Sequence, residues 1–517
     1  MGSSQSTVSS RTVDTTYGKV VGTRHSCSGD KDVDVFRGIP YAKPPIGELR
    51  FKKPIPPDPW QDVKRTVKYG PRSIQKDTVP IIDTYKFGRP SEDCLTLNVF
   101  TPCWETPKNG FPVFFYIHGG GYTIGEAARF GCENICETLC CKDVIVVTIQ
   151  YRLGYLGFLA TGDSECPGNF GLWDQVLALQ WVQDNIGFFG GDKNNVTVGG
   201  QSAGASSTYL LHLSPHSTNL FHKAAIMAST YRSSEEWSNS DWMVGQSKKK
   251  VQELGIDWDS KDKMHKLRSV SAERFAAYLS PMGGAGAGLE CTPIIDGDFF
   301  PCNLTELVKT ATPKPILTGV TQLEALLFEF RAKPSEAELR TVISHMIPAS
   351  HPDKALTQDR FLQRYVDLST KHQAKDVYRA LVEAQSDFGM NMHTLKIARD
   401  SLQDHPELPV YSYVFAHYNP AGWGPLRFFV PLEGATHCFE IPYLIGKKYM
   451  LPYTFDEMDK KVSRIFSTAF INFAKCGNPN GSDAMHALPV EWEPVELGNL
   501  ERHYVINSDP HMEHVYY

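Results

Sequence analysis

The 517-residue chain lacks any run of the roughly 18 apolar residues that a membrane-crossing helix needs. Its opening, Met1-Gly2-Ser3-Ser4-Gln5-Ser6, lacks the apolar core of a secretory signal. The closing His514-Val515-Tyr516-Tyr517 is no ER-retention signal. Basic blocks are missing as well, and a net charge of -6 offers nucleic acid no partner surface. No Pro/Ser/Gly linker divides the chain and no internal repeat recurs. The expectation is therefore a cytoplasmic protein with a tail over residues 1–14 and a single domain over residues 15–517. Composition carries no signal of oligomeric state.

The tail carries one motif. Met1-Gly2-x-x-x-Ser6 fits the N-myristoylation pattern, with Gly2 the acylated residue. A disordered polar tail is the alternative. One such chain holds a protein to membranes only weakly and reversibly, and Arg11 and Lys19 add no polybasic patch.

The twelve cysteines do not mark a disulfide miniprotein in a chain this long. Cys132, Cys136 and Cys140 recur every fourth residue on an expected helix, with Cys141 adjacent. No histidine lies near them in sequence, so they read as buried small hydrophobes, not metal ligands. Gly283-Gly284-Ala285-Gly286-Ala287-Gly288 has no strand before it and no helix after it. It reads as a flexible loop, not a dinucleotide cradle.

Strands are expected at Leu95–Phe100, Val113–Ile117 and Val144–Gln150, and a small hairpin element at Tyr17–Gly22. Helices are expected at Gly171–Asn185 and from Asp456 to Ala474, where Val462, Phe466, Ala469, Phe470 and Phe473 share a face and Gly477 offers a stop. Residues 230–290 read as less regular and more polar. Alternation of strand and helix predicts an α/β fold with a large, mostly parallel mixed sheet flanked by helices.

The chemistry starts at Gly200-Gln201-Ser202-Ala203-Gly204. A β-branched run, Asn195–Gly199, precedes it and a helix-like stretch, Ala203–Leu213, follows. This strand–turn–helix context is what a G-x-S-x-G nucleophile needs. A serine hydroxyl attacks poorly unless a base takes its proton. His437, in Gly434-Ala435-Thr436-His437, is the candidate base, on a loop beyond the strand Pro409–Ala416. Between the two, a strand ending near Gly319 delivers Glu324. Alone, Glu324 reads as a surface acid. The order nucleophile, acid, histidine makes it the candidate that orients the imidazole. His118-Gly119-Gly120-Gly121 follows a strand, as oxyanion loops do, and with the amide of Ala203 supplies donors typically worth about 2.7–4 kcal/mol each.

From roughly residue 15 to 510 these blocks resemble the type-B carboxylesterase/lipase family, which includes carboxylesterases and cholinesterases. Phe36–Ala42, Ser91-Glu92-Asp93-Cys94-Leu95, Tyr151–Gly154, Asn169–Gln175 and Phe189–Asp192 add to the match. The resemblance implies the α/β-hydrolase fold, with Ser202 as nucleophile, Glu324 as acid, His437 as base and Gly120, Gly121 and Ala203 as the oxyanion hole. It places Ser229 beside the triad and implies the ion pairs Arg37–Glu92 and Arg152–Asp174. No metal or organic cofactor is implied.

Departures from the family are informative. The usual partner of Cys94 is replaced near Ser73, and residues 250–270, where a second family disulfide falls, hold no cysteine. Unstapled loops suit a reducing compartment. There, Asn303-Leu304-Thr305 and Asn480-Gly481-Ser482 have no force as glycosylation sites. Ala325 replaces a common glycine after the acid. Gln201 stands where cholinesterases carry Glu, and Lys76–Pro90 has no Trp, only Tyr85 and Phe87. Cation recognition favours an aromatic face, Trp best, so a neutral small-molecule ester is the expected substrate. Tyr122, Phe328, Phe330, Phe428 and Phe429 either line an apolar gorge or fill the core. The competing functions are a catalytically silent interaction protein and an acyltransferase using the same triad.

Overall fold

The computed structural model describes residues 8–76, 88–229, 240–277, 289–329, 334–347, 353–370, 374–445, 453–482 and 487–515. Gly2, Tyr85, Phe87, Phe330 and the Gly283–Gly288 run lie outside them. Among the described residues no helix is long and apolar enough to cross a membrane.

Val113–Ile117 and Ile145–Ile149 are apolar with almost no polar alternation, the pattern of strands covered on both faces. They sit inside a 13-stranded mixed sheet. Its strands are β1 Ser9–Thr15, β2 Gly18–Cys27, β3 Lys31–Pro40, β4 Lys64–Arg65, β5 Thr96–Pro102, β6 Phe111–Ile117, β7 Ile145–Ile149, β8 Gly191–Gln201, β9 Lys223–Met227, β10 Ile316–Thr321, β11 Val410–Phe415, β12 His503–Ile506 and β13 His511–Glu513. The order is β1-β2-β3-β5-β7-β6-β8-β9-β10-β11-β12-β13, with β4 paired to β2. Pairing is parallel from β7 through β12 and antiparallel at both ends. Side chains alternate across it. Val113, Phe115 and Ile117 join the core on one face, Phe114 and Tyr116 the core on the other. With helices on both faces, this is the α/β-hydrolase fold.

Register brings the functional segments to one edge. Ile117 pairs with Gly200, Gln201 with Met227, and Thr321 with Phe415. The residues that follow β6, β8, β9 and β10 therefore emerge side by side at their carboxyl ends. The chain runs to opposite sides of β6, into β7 and into β8, so this edge is also the topological switch point, where open α/β sheets place their sites.

The helix Glu457–Cys476 starts on a capping box between Asp456 and Asp459 and stops at Gly477, whose φ of 77° suits glycine. All five of its expected apolar residues are buried against the sheet. The helix Phe170–Asn185 matches its expected span within one residue. Three local readings need correction. The first strand begins at Ser9, inside the expected tail, because Ser10, Val13 and Thr15 pack inward. Residues 240–253 and 263–269, read as irregular, form helices. Glu92 is not held by Arg37 but by Arg50, whose Nε and Nη2 donate to its two oxygens at 2.7 and 2.6 Å. Arg37 instead lies over the Tyr69 ring, 5.5 Å from its centroid. The other expected pair holds, since Arg152 grips Asp174 through two bonds of 2.8 and 2.7 Å, both side chains buried.

All twelve cysteines are free. Ser73 hydrogen-bonds the buried Cys94 thiol where the resemblance expects a disulfide. Asn480 is committed inside the fold: its Nδ2 donates to the Trp492 carbonyl and its Oδ1 accepts the Trp492 N–H.

Candidate active site

Ser202 follows β8 and caps the helix Ala203–Leu213 with φ 59° and ψ −127°. That conformation is strained for a residue with a side chain, at roughly 1–3 kcal/mol. It persists because the surroundings fix it. The Ser202 N–H donates to the Met227 carbonyl at 2.9 Å, and the helix packs into the turn. Gly204 permits this packing, since a Cβ there would sit 2.1 Å from the Ile117 carbonyl oxygen.

The loop after β6 lies directly against this turn. A Cβ on Gly119 would stand 3.0 Å from the Ser202 Cβ. Gly120 has φ 115°, and its carbonyl accepts the N–H groups of Thr123 and Ile124 at 3.0 Å each, closing a tight turn. No hydrogen bond among the described residues takes up the N–H of Gly120 or Gly121. Ala203 is the first residue of its helix, where N–H groups have no intrahelical partner. The N–H groups of Gly120 and Gly121 thus lie without an acceptor among the described residues, on the loop that packs against the Ser202 turn. His118 stiffens the loop: burial pushes its pKa down to about 4, so the ring is neutral. Nδ1, 2.9 Å from the Gly119 carbonyl oxygen, is then its protonated nitrogen. The ring stacks on Tyr151, whose hydroxyl donates to the His118 carbonyl at 2.9 Å.

Glu324 opens a short helical turn after β10, and His437 follows from the loop beyond β11. Glu324 Oε2 lies 2.6 Å from His437 Nδ1, and both side chains are buried. Glu324 Oε1 accepts the Thr321 N–H at 2.5 Å. Thr436 Oγ1 donates to the Glu324 carbonyl at 3.2 Å. Burial works against a positive His437, but the Cys438 sulfur and the Glu324 carboxylate outweigh it and hold the pKa well above 6.5. Ala325 needs no glycine conformation; its N–H donates to Ser386 Oγ at 3.0 Å.

Gln201 lies beneath the imidazole. Its Nε2 is 3.3 Å from His437 Nε2 and 3.4 Å from Nδ1. Near-equal distances place it across the ring, not along one lone pair. Cys438 Sγ donates to its Oε1 at 3.4 Å. No hydrogen bond among the described residues joins Ser202 Oγ to His437. Such contacts often tighten only when substrate arrives. Ser229 is buried and meets Ser206 Oγ at 3.3 Å, and Ser206 donates to the Ser202 carbonyl at 3.3 Å. Phe328 flanks His437 with ring centroids 5.3 Å apart. Tyr122 is fully buried, whereas Phe428 and Phe429 are 76 and 77% exposed, so these two are neither core nor enclosed lining.

One residue went unread in the sequence. Glu440, three positions after His437, is buried beside Gln201. Burial and then the Glu324 charge push its carboxyl up to about 8, with His437 pulling the other way. Only its place one helical turn after a candidate base hinted at this. A carboxyl harder to ionise folded than unfolded contributes stability below pH 4.5 and loses it as pH rises through about 8. Glu440→Gln should therefore raise the Tm by about 2 °C or more above that window and leave it unchanged below pH 4.5. Thermal melts across pH check this; an equal shift at every pH refutes it.

The sequence model of the carboxylesterase family matches residues 9–517. The chain is 40% identical to esterase cest-33 of Caenorhabditis elegans over 500 residues, covering 92% of this chain and 87% of that one. It is 33% identical to gut esterase 1 of Caenorhabditis elegans, over 93% of this chain and 86% of that one. It is 32% identical to the para-nitrobenzyl esterase of Bacillus subtilis (strain 168), over 97% of both chains.

Proposed function

The chain belongs to the carboxylesterase family and is a carboxylic ester hydrolase, and from that premise we propose that Ser202, His437 and Glu324 carry the reaction through an acyl-enzyme. Ser202 Oγ attacks the ester carbonyl while His437 Nε2 takes its proton. The oxyanion is received by the N–H groups of Gly120, Gly121 and Ala203. The carbon–oxygen bond to the alcohol then breaks, and His437 protonates the departing oxygen. Water enters, His437 takes its proton, and collapse of the second tetrahedral species releases the acid and returns the proton to Ser202. Glu324 fixes the tautomer with Nε2 free and stabilises the imidazolium.

The observation that carries this reading is the buried 2.6 Å contact between Glu324 and His437, at the strand edge that also carries the strained serine. A neutral ester is the favoured substrate. Gln201 is uncharged, and burial pushes the Glu440 carboxyl up to about 8, so neither of these neighbours adds a negative charge that would favour a cation. We also place the protein in a reducing compartment, which twelve free thiols favour.

A fluorophosphonate probe should modify Ser202, and short acyl esters should yield free acid and alcohol. Neither result on folded protein would return the chain to a silent interaction role. Predominant esterification of an added alcohol would make it an acyltransferase.

A further inference from the structure

A second cluster of reactive side chains shares no residue with the site around Ser202. β2 ends at Cys27, and His25 lies two residues before it, on the same side of the strand. The helix Glu133–Thr138 and the turn Cys140–Lys142 pack against that end. One ligand atom from each of His25, Cys27 and Glu137 lies within 4.8 Å of the other two. The Cys27 thiol also feels those of Cys136 and Cys141, which hold its pKa below the ordinary thiol value. More than a hundred residues separate the two segments, so linear spacing did not show the set.

Other contacts hold the two segments together. Glu137 accepts the Ser28 N–H at 3.1 and 3.3 Å, and Lys31 Nζ donates to the Cys141 carbonyl at 2.6 Å. The donor atoms are therefore gathered before any ion arrives. Cys136 is buried in the core, whereas Cys141 is half-buried, one helical turn after the exposed Glu137.

We propose that His25, Cys27 and Glu137 form a site for a soft divalent cation of the zinc class. Thiolate, imidazole and carboxylate together are a zinc donor set, whereas calcium and magnesium require oxygen ligands throughout. Three protein ligands leave one tetrahedral position, open to water or to the nearby half-buried Cys141 thiol, and the bound ion clamps the end of β2 to the helix. Binding releases the Cys27 thiol proton to water, and affinity rises with pH.

Titration of the reduced, metal-stripped full-length protein with Co²⁺ tests this. One equivalent should produce the thiolate-to-cobalt charge-transfer band and the visible bands of tetrahedral cobalt, and one equivalent of Zn²⁺ should bleach them. Cys27→Ser should abolish the charge-transfer band while ester hydrolysis is retained. Glu137→Gln alters an exposed side chain and so spares the fold; it should weaken Co²⁺ binding at least about tenfold. The double variant Cys302→Ser/Cys476→Ser, at the two exposed cysteines, should keep the bands. No saturable band, a band that survives Cys27→Ser, or unchanged affinity in Glu137→Gln overturns the proposal.

Discussion

Ser202→Ala is expected to leave a folded protein whose kcat on short acyl esters falls by about 10⁶, the scale set by loss of a serine nucleophile in a serine hydrolase. The fold should survive, because the change removes one oxygen and adds nothing to a crowded turn. Ser202 N–H keeps its bond to the Met227 carbonyl, and Gly204 keeps its approach to Ile117. The strained φ of 59° is retained by alanine, so its cost is carried by both forms. The same variant should lose fluorophosphonate labelling. Residual catalysis comes from binding and from the three N–H donors, which do not depend on the hydroxyl. His437→Ala should cost a similar factor, and the double variant should be no slower than either single one, because base and nucleophile act as a unit. A kcat above about one per cent of the parent in Ser202→Ala, with circular dichroism unchanged, would show that another group attacks.

Local patterns made the nucleophile turn legible. Strand, turn and helix around Ser202 are written in consecutive residues, and the Ala203–Leu213 helix has its expected span. The buried strands were legible too, since continuous apolar runs such as Val113–Ile117 have few other uses. Helix Glu457–Cys476 announced its start, face and stop. Pairings between distant segments were not legible. Arg50 and Arg37 are both plausible partners of Glu92 in sequence, and only the packed geometry chooses between them. Glu440 looks like any acid near a loop until its burial beside Gln201 is known. His25 and Cys27 carry no local sign that Glu137 will meet them. The four helices Glu336–Met346, Lys354–Thr370, Ala374–Ser386 and Met392–Leu402 went unread, and none of them contributes a residue to the constellation proposed here. The base and acid stood between these extremes. Chain order and family resemblance pointed to them, but the 2.6 Å contact depends on how β10 and β11 pair.

Glu324→Gln should lower kcat by about 10⁴, and do so without disturbing the serine. The carboxylate accepts from two directions, from the Thr321 N–H at 2.5 Å and from His437 Nδ1–H at 2.6 Å. A glutamine can satisfy only one of these. If its oxygen faces Thr321, its NH₂ faces Nδ1 and selects the imidazole tautomer that carries its proton on Nε2. That tautomer cannot accept from Ser202. If the oxygen faces Nδ1, the NH₂ meets the Thr321 N–H, donor against donor, in a buried site. Either choice costs, and the first disables the base. A second signature separates this role from a merely structural one. Burial opposes the His437 cation, while Cys438 and Glu324 favour it, and the balance holds the pKa well above 6.5. His437 must be neutral to act as a base, so kcat/KM of the parent should fall as pH drops through that raised pKa. Removing the Glu324 charge should move this acid limb to lower pH while the plateau collapses. Glu324→Asp keeps the charge but draws it back by one methylene, so it should retain part of the plateau and shift the limb less. A kcat loss below about tenfold in Glu324→Gln, or an acid limb that stays in place, would remove Glu324 from the proton relay and reduce its contact with His437 to packing.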